Sequence, residues 1–214
     1  MYINNYFNTT IWSEQKLEFV KSLTKASNKY IKAAKNFPEA KAHIKKLGDF
    51  GRSYHSTTLT ADNNFRDFIS YIGNKSWEFL DKQGFDMSQY QTMLSEMWVQ
   101  EFAKKGGGHH TLHTHWNGHI SGFYFLKASD KTSMPLFEDP RPGNLMNLLP
   151  EIDKTKVTYA SSQINYKAVP GRMVFFPSYL PHQYVLDMGY EPFRFIHWNC
   201  QAIPKGVLNV IQEK

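Results

Sequence analysis

The chain of 214 residues has little cysteine and no long apolar run. Its single cysteine, Cys200, excludes a disulfide within the chain and favours a reducing compartment. No apolar stretch approaches the roughly 20 residues of a membrane-spanning helix. Residues 1–12 lack the basic and apolar regions of a signal peptide. We therefore predict a cytoplasmic protein that does not associate with a membrane.

Positive charge is in excess, with a formal net charge of +6 at pH 7. Much of the lysine lies between Lys16 and Lys46. A basic face can bind nucleic acid, but such faces usually carry an arginine-rich or aromatic-interleaved pattern that this segment lacks. We interpret these lysines as a solvated helix surface and do not predict a nucleic-acid partner.

The first 88 residues favour helices. We predict helices over residues 13–36, 38–48 and 62–84, because apolar residues recur there at helical spacing. Ser13 and Asp62 are candidate N-caps, and Pro38 suits a first helical turn. These helices are expected to form one supporting layer.

After Ser88 the pattern changes to short apolar runs separated by glycine- and proline-rich turns. Many short strands without intervening helices are typical of a sandwich or barrel. We therefore expect a mainly β fold with helices (α+β) in a single domain over residues 1–214, with a helical support layer at 1–88 and a β core at 89–214. The predicted strands are 96–102, 111–115, 120–127, 136–138, 157–161, 167–169, 172–176, 183–186 and 193–199.

Histidine is concentrated in one segment: five of the nine histidines lie between positions 109 and 119. His113 and His115 fall on a predicted strand, where residues i and i+2 point to the same side. Two imidazoles can therefore converge on one metal ion. We assign His109, His110 and His119 to loops or turns, as solvated or supporting side chains.

A third histidine, His182, follows the predicted buried strand 172–176. It can return to His113 and His115 only if the sheet curls back, as in a β-barrel. Two ligands from one strand and a third about seventy residues later have the spacing of a facial triad with open coordination positions. Open positions indicate a catalytic rather than a structural metal.

Arg194 lies within the apolar strand 193–199. A buried arginine is costly unless it is paired, and a bound dicarboxylate would match its guanidinium group. The alternative is an internal salt bridge with Glu96, Glu101 or Asp139. We prefer the dicarboxylate role.

These features resemble the 2-oxoglutarate–Fe(II) oxygenases of bacteria and marine phages, distant relatives of the prolyl hydroxylases. The resemblance implies a double-stranded β-helix, a jelly-roll or cupin-like fold, which binds Fe(II) and 2-oxoglutarate and uses dioxygen. It is carried by residues 7–12, 50–53, 97–98, 113–117, 120–126, 137–141, 176–178, 182 and 194–199.

The resemblance also implies metal ligands. His113 and His182 match the two histidine ligands of the family, whereas His115 lies where the wider superfamily usually has Asp or Glu. Either the site has three histidines or Asp139 supplies a carboxylate from a neighbouring strand. We prefer His115 because its phase with His113 is right.

For the cofactor, the resemblance implies that Arg194 holds the distal carboxylate of 2-oxoglutarate. Ser121 and Phe125 share one face of their strand and are expected to line the same pocket. Phe125 stands where relatives often carry tyrosine. We assign no catalytic side chain beyond the metal ligands.

The implied reaction is a dioxygenase reaction that couples oxidative decarboxylation of 2-oxoglutarate to hydroxylation of a small-molecule or peptidyl substrate. One alternative is a cupin-like three-histidine metalloenzyme that does not use 2-oxoglutarate. Another is a non-catalytic, basic binding module that contains a metal. A homodimer stays open, as does location in a host cytoplasm if a phage encodes the chain.

Overall fold

The computed structural model describes residues 2, 4, 6–103, 105–116, 118–141 and 149–207. Three α-helices and ten strands are described in these ranges. The helices are α1 (Val20–Lys35), α2 (Pro38–Leu47) and α3 (Arg66–Lys82). The strands are β1 (Trp12–Gln15), β2 (Ser53–His55), β3 (Tyr90–Phe102), β4 (His110–His113), β5 (Ile120–Lys127), β6 (Pro135–Glu138), β7 (Gln163–Asn165), β8 (Arg172–Pro177), β9 (His182–Tyr184) and β10 (Phe193–Pro204).

The strands form two antiparallel sheets. The major sheet has the order β1-β8-β5-β10-β3-β2, and the minor sheet has the order β4-β9-β6-β7. Phenylalanines from both sheets share one buried cluster, which includes Phe123, Phe176 and Phe137. The sheets therefore pack face to face, and the predicted double-stranded β-helix is confirmed.

The helices cover the other face of the major sheet. Leu23 of α1 and Phe68 of α3 pack in one cluster with Tyr124 and Trp198 of the sheet. None of the helices in the described ranges has the length and apolarity that crossing a bilayer requires.

The N-terminal region differs from its prediction in one respect, because it also contributes strands. Residues 12–15 form β1, which pairs with β8, and Trp12 stacks on Phe79. Ser13 is therefore not an N-cap, and α1 begins at Val20 after a short 3-10 turn. Pro38 does open α2, and the Asp62 carboxylate accepts a hydrogen bond from Asn64 N–H at the start of the third helical segment.

Two predicted strands, 157–161 and 167–169, are not strands in the described structure, and β7 was not predicted. Within the first, side chains cap turns: Ser161 Oγ accepts from the N–H of Thr158. The local hydrogen-bonding capacity of serine and threonine competes here with sheet formation.

Strand β10 decides what faces the space between the sheets. Phe193 and Phe195 belong to the cluster between the sheets, whereas Ile196 and Trp198 belong to the cluster under the helices. Because side chains alternate along a strand, Arg194 shares the helix-facing side with Ile196 and Trp198. This alternation decides which side chains of β10 can reach the space between the two sheets.

Candidate metal centre

His113 and His182 lie directly opposite each other in adjacent strands. His113 ends β4, His182 begins β9, and the two residues are register partners with ring centroids 4.3 Å apart. His115 lies two residues beyond the end of β4. Its position is set by its backbone N–H, which donates to the carbonyl oxygen of Ser178 over 2.8 Å.

The three predicted histidines converge. One ring nitrogen from each of His113, His115 and His182 lies within 4.8 Å of the others, and no other group of three metal-binding side chains occurs in the described ranges. The in-phase spacing of His113 and His115 thus brings their rings together, although His115 lies past the strand end.

The tautomers of two of these histidines are set by the backbone. The Nδ1 atoms of His113 and His182 lie 2.7 and 2.9 Å from the carbonyl oxygens of Thr111 and Leu180. A carbonyl oxygen only accepts, so each Nδ1 carries the proton and each Nε2 has a free lone pair. This arrangement is typical of histidines that bind a metal through Nε2.

Burial keeps the rings of His115 and His182 neutral. Desolvation, together with the neighbouring histidines, lowers the pKa of His182 to about 3 and the pKa of His115 to about 4. The same causes lower the pKa of His110 to about 4. A neutral imidazole is the form that coordinates a metal, so burial favours the uncharged rings that metal binding requires at His115 and His182.

Asn199 connects the third histidine to the rest of the sheet. Its Nδ2 lies 2.8 Å from Glu96 Oε2 and 3.3 Å from His115 Nδ1. Its Oδ1 accepts from Ser121 Oγ over 2.7 Å and lies 3.1 Å from His197 Nε2. One amide thus joins strands β3, β5 and β10 to the histidine site.

Several buried polar atoms near the histidines have no hydrogen-bond partner. They are Nε2 of His115 and His182, Nδ1 of His197, Nε1 of Trp98 and Oη of Tyr184. The rings lie close together: His197 is 4.3 Å from Trp98 and 4.6 Å from His115, centroid to centroid. Unpaired buried polar atoms are rare in folded proteins, and their grouping here indicates a ligand site.

His197 and Asn199 were missed by the sequence analysis. The signal was present in the alternation of strand 193–199, where both share a face with Phe193 and Phe195. The same alternation gives Arg194 the opposite phase, which argues against a place for it in the site.

Arg194 requires a correction. Its Nε and Nη2 donate to Glu101 Oε2 over 2.7 and 2.6 Å, and its Nη1 donates to Ser27 Oγ and Asn28 Oδ1 of α1 over 3.0 and 2.8 Å. The guanidinium group is therefore occupied on the helix-facing side of the sheet. The prediction that Arg194 holds 2-oxoglutarate is wrong, and the alternative of a salt bridge with Glu101 is correct.

Asp139, the alternative metal ligand, lies outside the histidine group. Its carboxylate is held by Arg141, whose Nε and Nη2 donate over 2.9 and 2.5 Å. The geometry therefore favours His115 over Asp139 as the third ligand.

The two predicted pocket residues are both on the inner face of β5. The Ser121 hydroxyl is buried and bonded to Asn199 and Ser178. The Phe125 ring instead contacts Phe193 and Phe195, farther along the barrel. It is Phe123 whose ring contacts His182 and His197.

Comparison with known proteins decides the family. Residues 96–192, which include His113, His115 and His182, match the sequence profile of the family described as "Putative 2OG-Fe(II) oxygenase". This segment belongs to the 2OG-Fe(II) oxygenase family. The residues of this segment accordingly indicate an oxygenase that uses Fe(II) and 2-oxoglutarate. No curated protein matches the sequence of this oxygenase.

Solved structures agree with the fold of the oxygenase. A prolyl-4-hydroxylase from Pseudomonas putida is 10% identical, with a TM-score of 0.51 over 89% of this chain and 92% of that one. The alpha-ketoglutarate-dependent epimerase SnoN from nogalamycin biosynthesis is 10% identical, with a TM-score of 0.55 over 94% and 84%. AviO1 from Streptomyces viridochromogenes is 12% identical, with a TM-score of 0.54 over 90% of each chain. At these identities the likeness concerns the fold alone.

Proposed function

We propose that this oxygenase holds Fe(II) through Nε2 of His113, His115 and His182 and hydroxylates an organic substrate. The observation that carries the proposal is the convergence of three imidazoles, two of which have their Nε2 lone pair fixed by a backbone carbonyl. The unpaired Nε2 atoms of His115 and His182 fit a metal. Three protein ligands leave positions open for a cosubstrate.

The cofactor would lie against the inner faces of β9 and β3. Tyr184 follows His182 on the same face of β9, and its buried hydroxyl has no partner. Burial holds the pKa of Tyr184 well above its usual value, so the hydroxyl keeps its proton and can donate. Together with the indole N–H of Trp98, it would bind a carboxylate of 2-oxoglutarate in place of the arginine that we first expected.

The substrate would approach past two exposed aromatic residues. Trp116, next to His115, is 88% exposed, and Tyr179, next to Ser178, is 60% exposed. The loops that carry them are joined by two backbone hydrogen bonds, His115 N–H to Ser178 O and Ser178 N–H to His119 O. The two residues are therefore carried by loops that join at the metal centre, and their exposed side chains could contact an apolar part of a substrate.

When bound, iron and 2-oxoglutarate supply the oxidising chemistry through decarboxylation of the cosubstrate. The protein supplies orientation and a dry environment. His182 is fully buried, and the rings of Phe123, Phe137 and Phe176 surround it. These apolar rings keep water from the inner side of the site.

We further propose that the chain forms a single domain and acts in the cytoplasm. The first proposal is supported by the packing of α1 and α3 on the sheet that carries the site. The second is supported by the presence of only one cysteine, which is buried. Whether the oxygenase forms a homodimer would be measured by light scattering.

The test is an anaerobic titration with Fe(II) and 2-oxoglutarate, which follows the weak visible charge-transfer band of the chelate. We expect the band in the wild type and its loss in His182→Ala. In Tyr184→Phe the band should need about 10- to 100-fold more 2-oxoglutarate, the usual effect of losing one hydrogen bond to a charged group.

Each arm of this titration can fail separately. An unchanged 2-oxoglutarate requirement in Tyr184→Phe would contradict the role of that hydroxyl alone. Bound iron without any band in the wild type would contradict the proposed function and favour a three-histidine enzyme that does not use 2-oxoglutarate. Succinate formation from 2-oxoglutarate in air provides an independent check.

A further inference from the structure

His115 differs from the other two histidines in the hydrogen bond of its Nδ1. In His113 and His182 this atom faces a carbonyl oxygen, whereas in His115 it lies 3.3 Å from the amide nitrogen of Asn199. An amide N–H group only donates, so His115 Nδ1 must accept. The proton of the neutral His115 ring then lies on Nε2, the atom that would have to bind the metal.

The orientation of the Asn199 amide is itself fixed by Glu96. The carboxylate of Glu96 can only accept, and it lies 2.8 Å from the amide atom that faces it, so this atom must be the nitrogen. Turning the amide over would place two acceptors against each other. On the far side, the amide oxygen accepts from Ser121 Oγ; a hydroxyl can donate or accept, so this contact agrees with the orientation without imposing it.

We propose that Glu96 and Asn199 set the tautomer of His115 and make it the weakest of the three metal ligands. This inference rests on the metal site proposed above. For His115 Nε2 to coordinate, its proton must pass through solvent to Nδ1, and the bond from Asn199 to Nδ1 is broken. Glu96 and Asn199 are thus positioning residues that hold the third ligand in the unfavourable tautomer.

The first arm of the test is ¹⁵N NMR of the metal-free wild type with labelled histidine, since ring couplings distinguish the two tautomers. We expect His115 as the Nε2–H tautomer, and His113 and His182 as the Nδ1–H tautomer. Loss of one signal in His115→Asn assigns it. A His115 signal in the Nδ1–H form would overturn the proposal, and this arm needs no variant other than the assignment control.

The second arm reverses the polarity of the pair in the double variant Glu96→Gln/Asn199→Asp, which conserves shape and net charge. The new amide donates to the new carboxylate, and the carboxylate can accept from His115 Nδ1–H. We expect His115 to change to the Nδ1–H tautomer and Co(II) to bind about tenfold tighter, the lower end of the usual effect of residues that orient metal ligands. Tighter binding without the tautomer change would reflect only the new position of the carboxylate and would count against the proposal.

The two proposals fail in different measurements. If the wild type bound no metal but showed the expected tautomers, the metal site would be wrong and the tautomer assignment would stand. If the wild type gave the Fe(II)–2-oxoglutarate band but all three histidines shared one tautomer, only the present inference would be wrong.

Discussion

Arg194 and Glu101 form a buried ion pair between β10 and β3, on the side of the major sheet that faces α1. The closest contact, Nη2 to Oε2, is 2.6 Å, and both side chains are almost completely buried. Glu101 also accepts from Lys35 Nζ over 2.9 Å. The pair therefore joins two strands and a helix, and it serves the structure rather than the cofactor.

Removal of Arg194 is predicted to lower the stability of the fold without weakening cofactor binding. Arg194→Met leaves a buried carboxylate short of a partner, which typically costs about 3–5 kcal/mol. The free energy of unfolding, measured by urea titration, should fall by about that amount. The affinity of the folded fraction for 2-oxoglutarate should stay the same. A matched double variant, Arg194→Met/Glu101→Met, should recover part of the loss, and a weakened chelate band with normal stability would contradict this assignment.

A second prediction concerns the metal. A metal that binds only the folded chain stabilises it by about 2.7 kcal/mol at a hundredfold excess over its Kd. Co(II) should therefore raise the Tm of the wild type, and His182→Ala should abolish the increase. His119→Ala is the matched control, because this exposed ring lies outside the histidine group and its Nδ1 accepts a hydrogen bond from the N–H of Ala202 over 3.1 Å. Equal Tm shifts in wild type and His182→Ala would place the metal elsewhere.

The parts of the fold and of the site that the sequence predicted are those marked by a local pattern of residues. The period of two along residues 113–115 was enough to bring two imidazoles together, and Pro38 and Asp62 marked helix starts. The partner of Arg194 was harder to choose, because Glu101 is on a different strand and only the register with β3 brings the two residues opposite each other.

The strands β1 and β2 were missed for a related reason. Trp12–Gln15 is too short for its own pattern to distinguish a strand from a helix start, and pairing with β8 decides the outcome. The role of Asn199 also depends on contacts with Glu96 and His115, which are distant in sequence. Tertiary contacts of this kind leave no local signal.

A third prediction tests the packing of β5 against β10. A Cβ at Gly122 would lie 2.2 Å from Trp198 Cζ2 and 2.7 Å from the Val174 carbonyl oxygen. Gly122→Ala should therefore destabilise the fold by about 1–3 kcal/mol or more, as overpacking in a core does. Gly73→Ala is the contrasting control, since the nearest atom to its Cβ is Thr92 Oγ1 at 3.7 Å.

At Gly73, within α3, alanine should stabilise the fold by up to about 1 kcal/mol through its better helix propensity. Both free energies would be measured by urea titration of the metal-free proteins. Similar effects of the two substitutions would show that the close approach of Gly122 to Trp198 does not constrain the fold.

The last prediction concerns pH and the buried Asp187 in the loop between β9 and β10. Its Oδ1 accepts from the N–H groups of Ser133 and Gly189 over 2.9 and 3.3 Å, while Oδ2 is buried without a partner. Burial raises the pKa of Asp187, although the two N–H groups partly oppose the shift.

Because the folded chain binds this proton more tightly than the unfolded chain, the contribution of Asp187 to stability is greatest below the unfolded pKa near 3.8 and is lost as pH rises through the folded pKa. Asp187→Asn keeps the acceptor for Ser133 N–H and removes the titrating charge. The free energy of unfolding at pH 7, relative to its value at pH 4, should therefore be higher in this variant than in the wild type. Asp187→Ala loses the acceptor and should destabilise the fold at both pH values. A wild-type and Asp187→Asn stability difference that is the same at pH 4 and pH 7 would contradict the assigned direction of the shift.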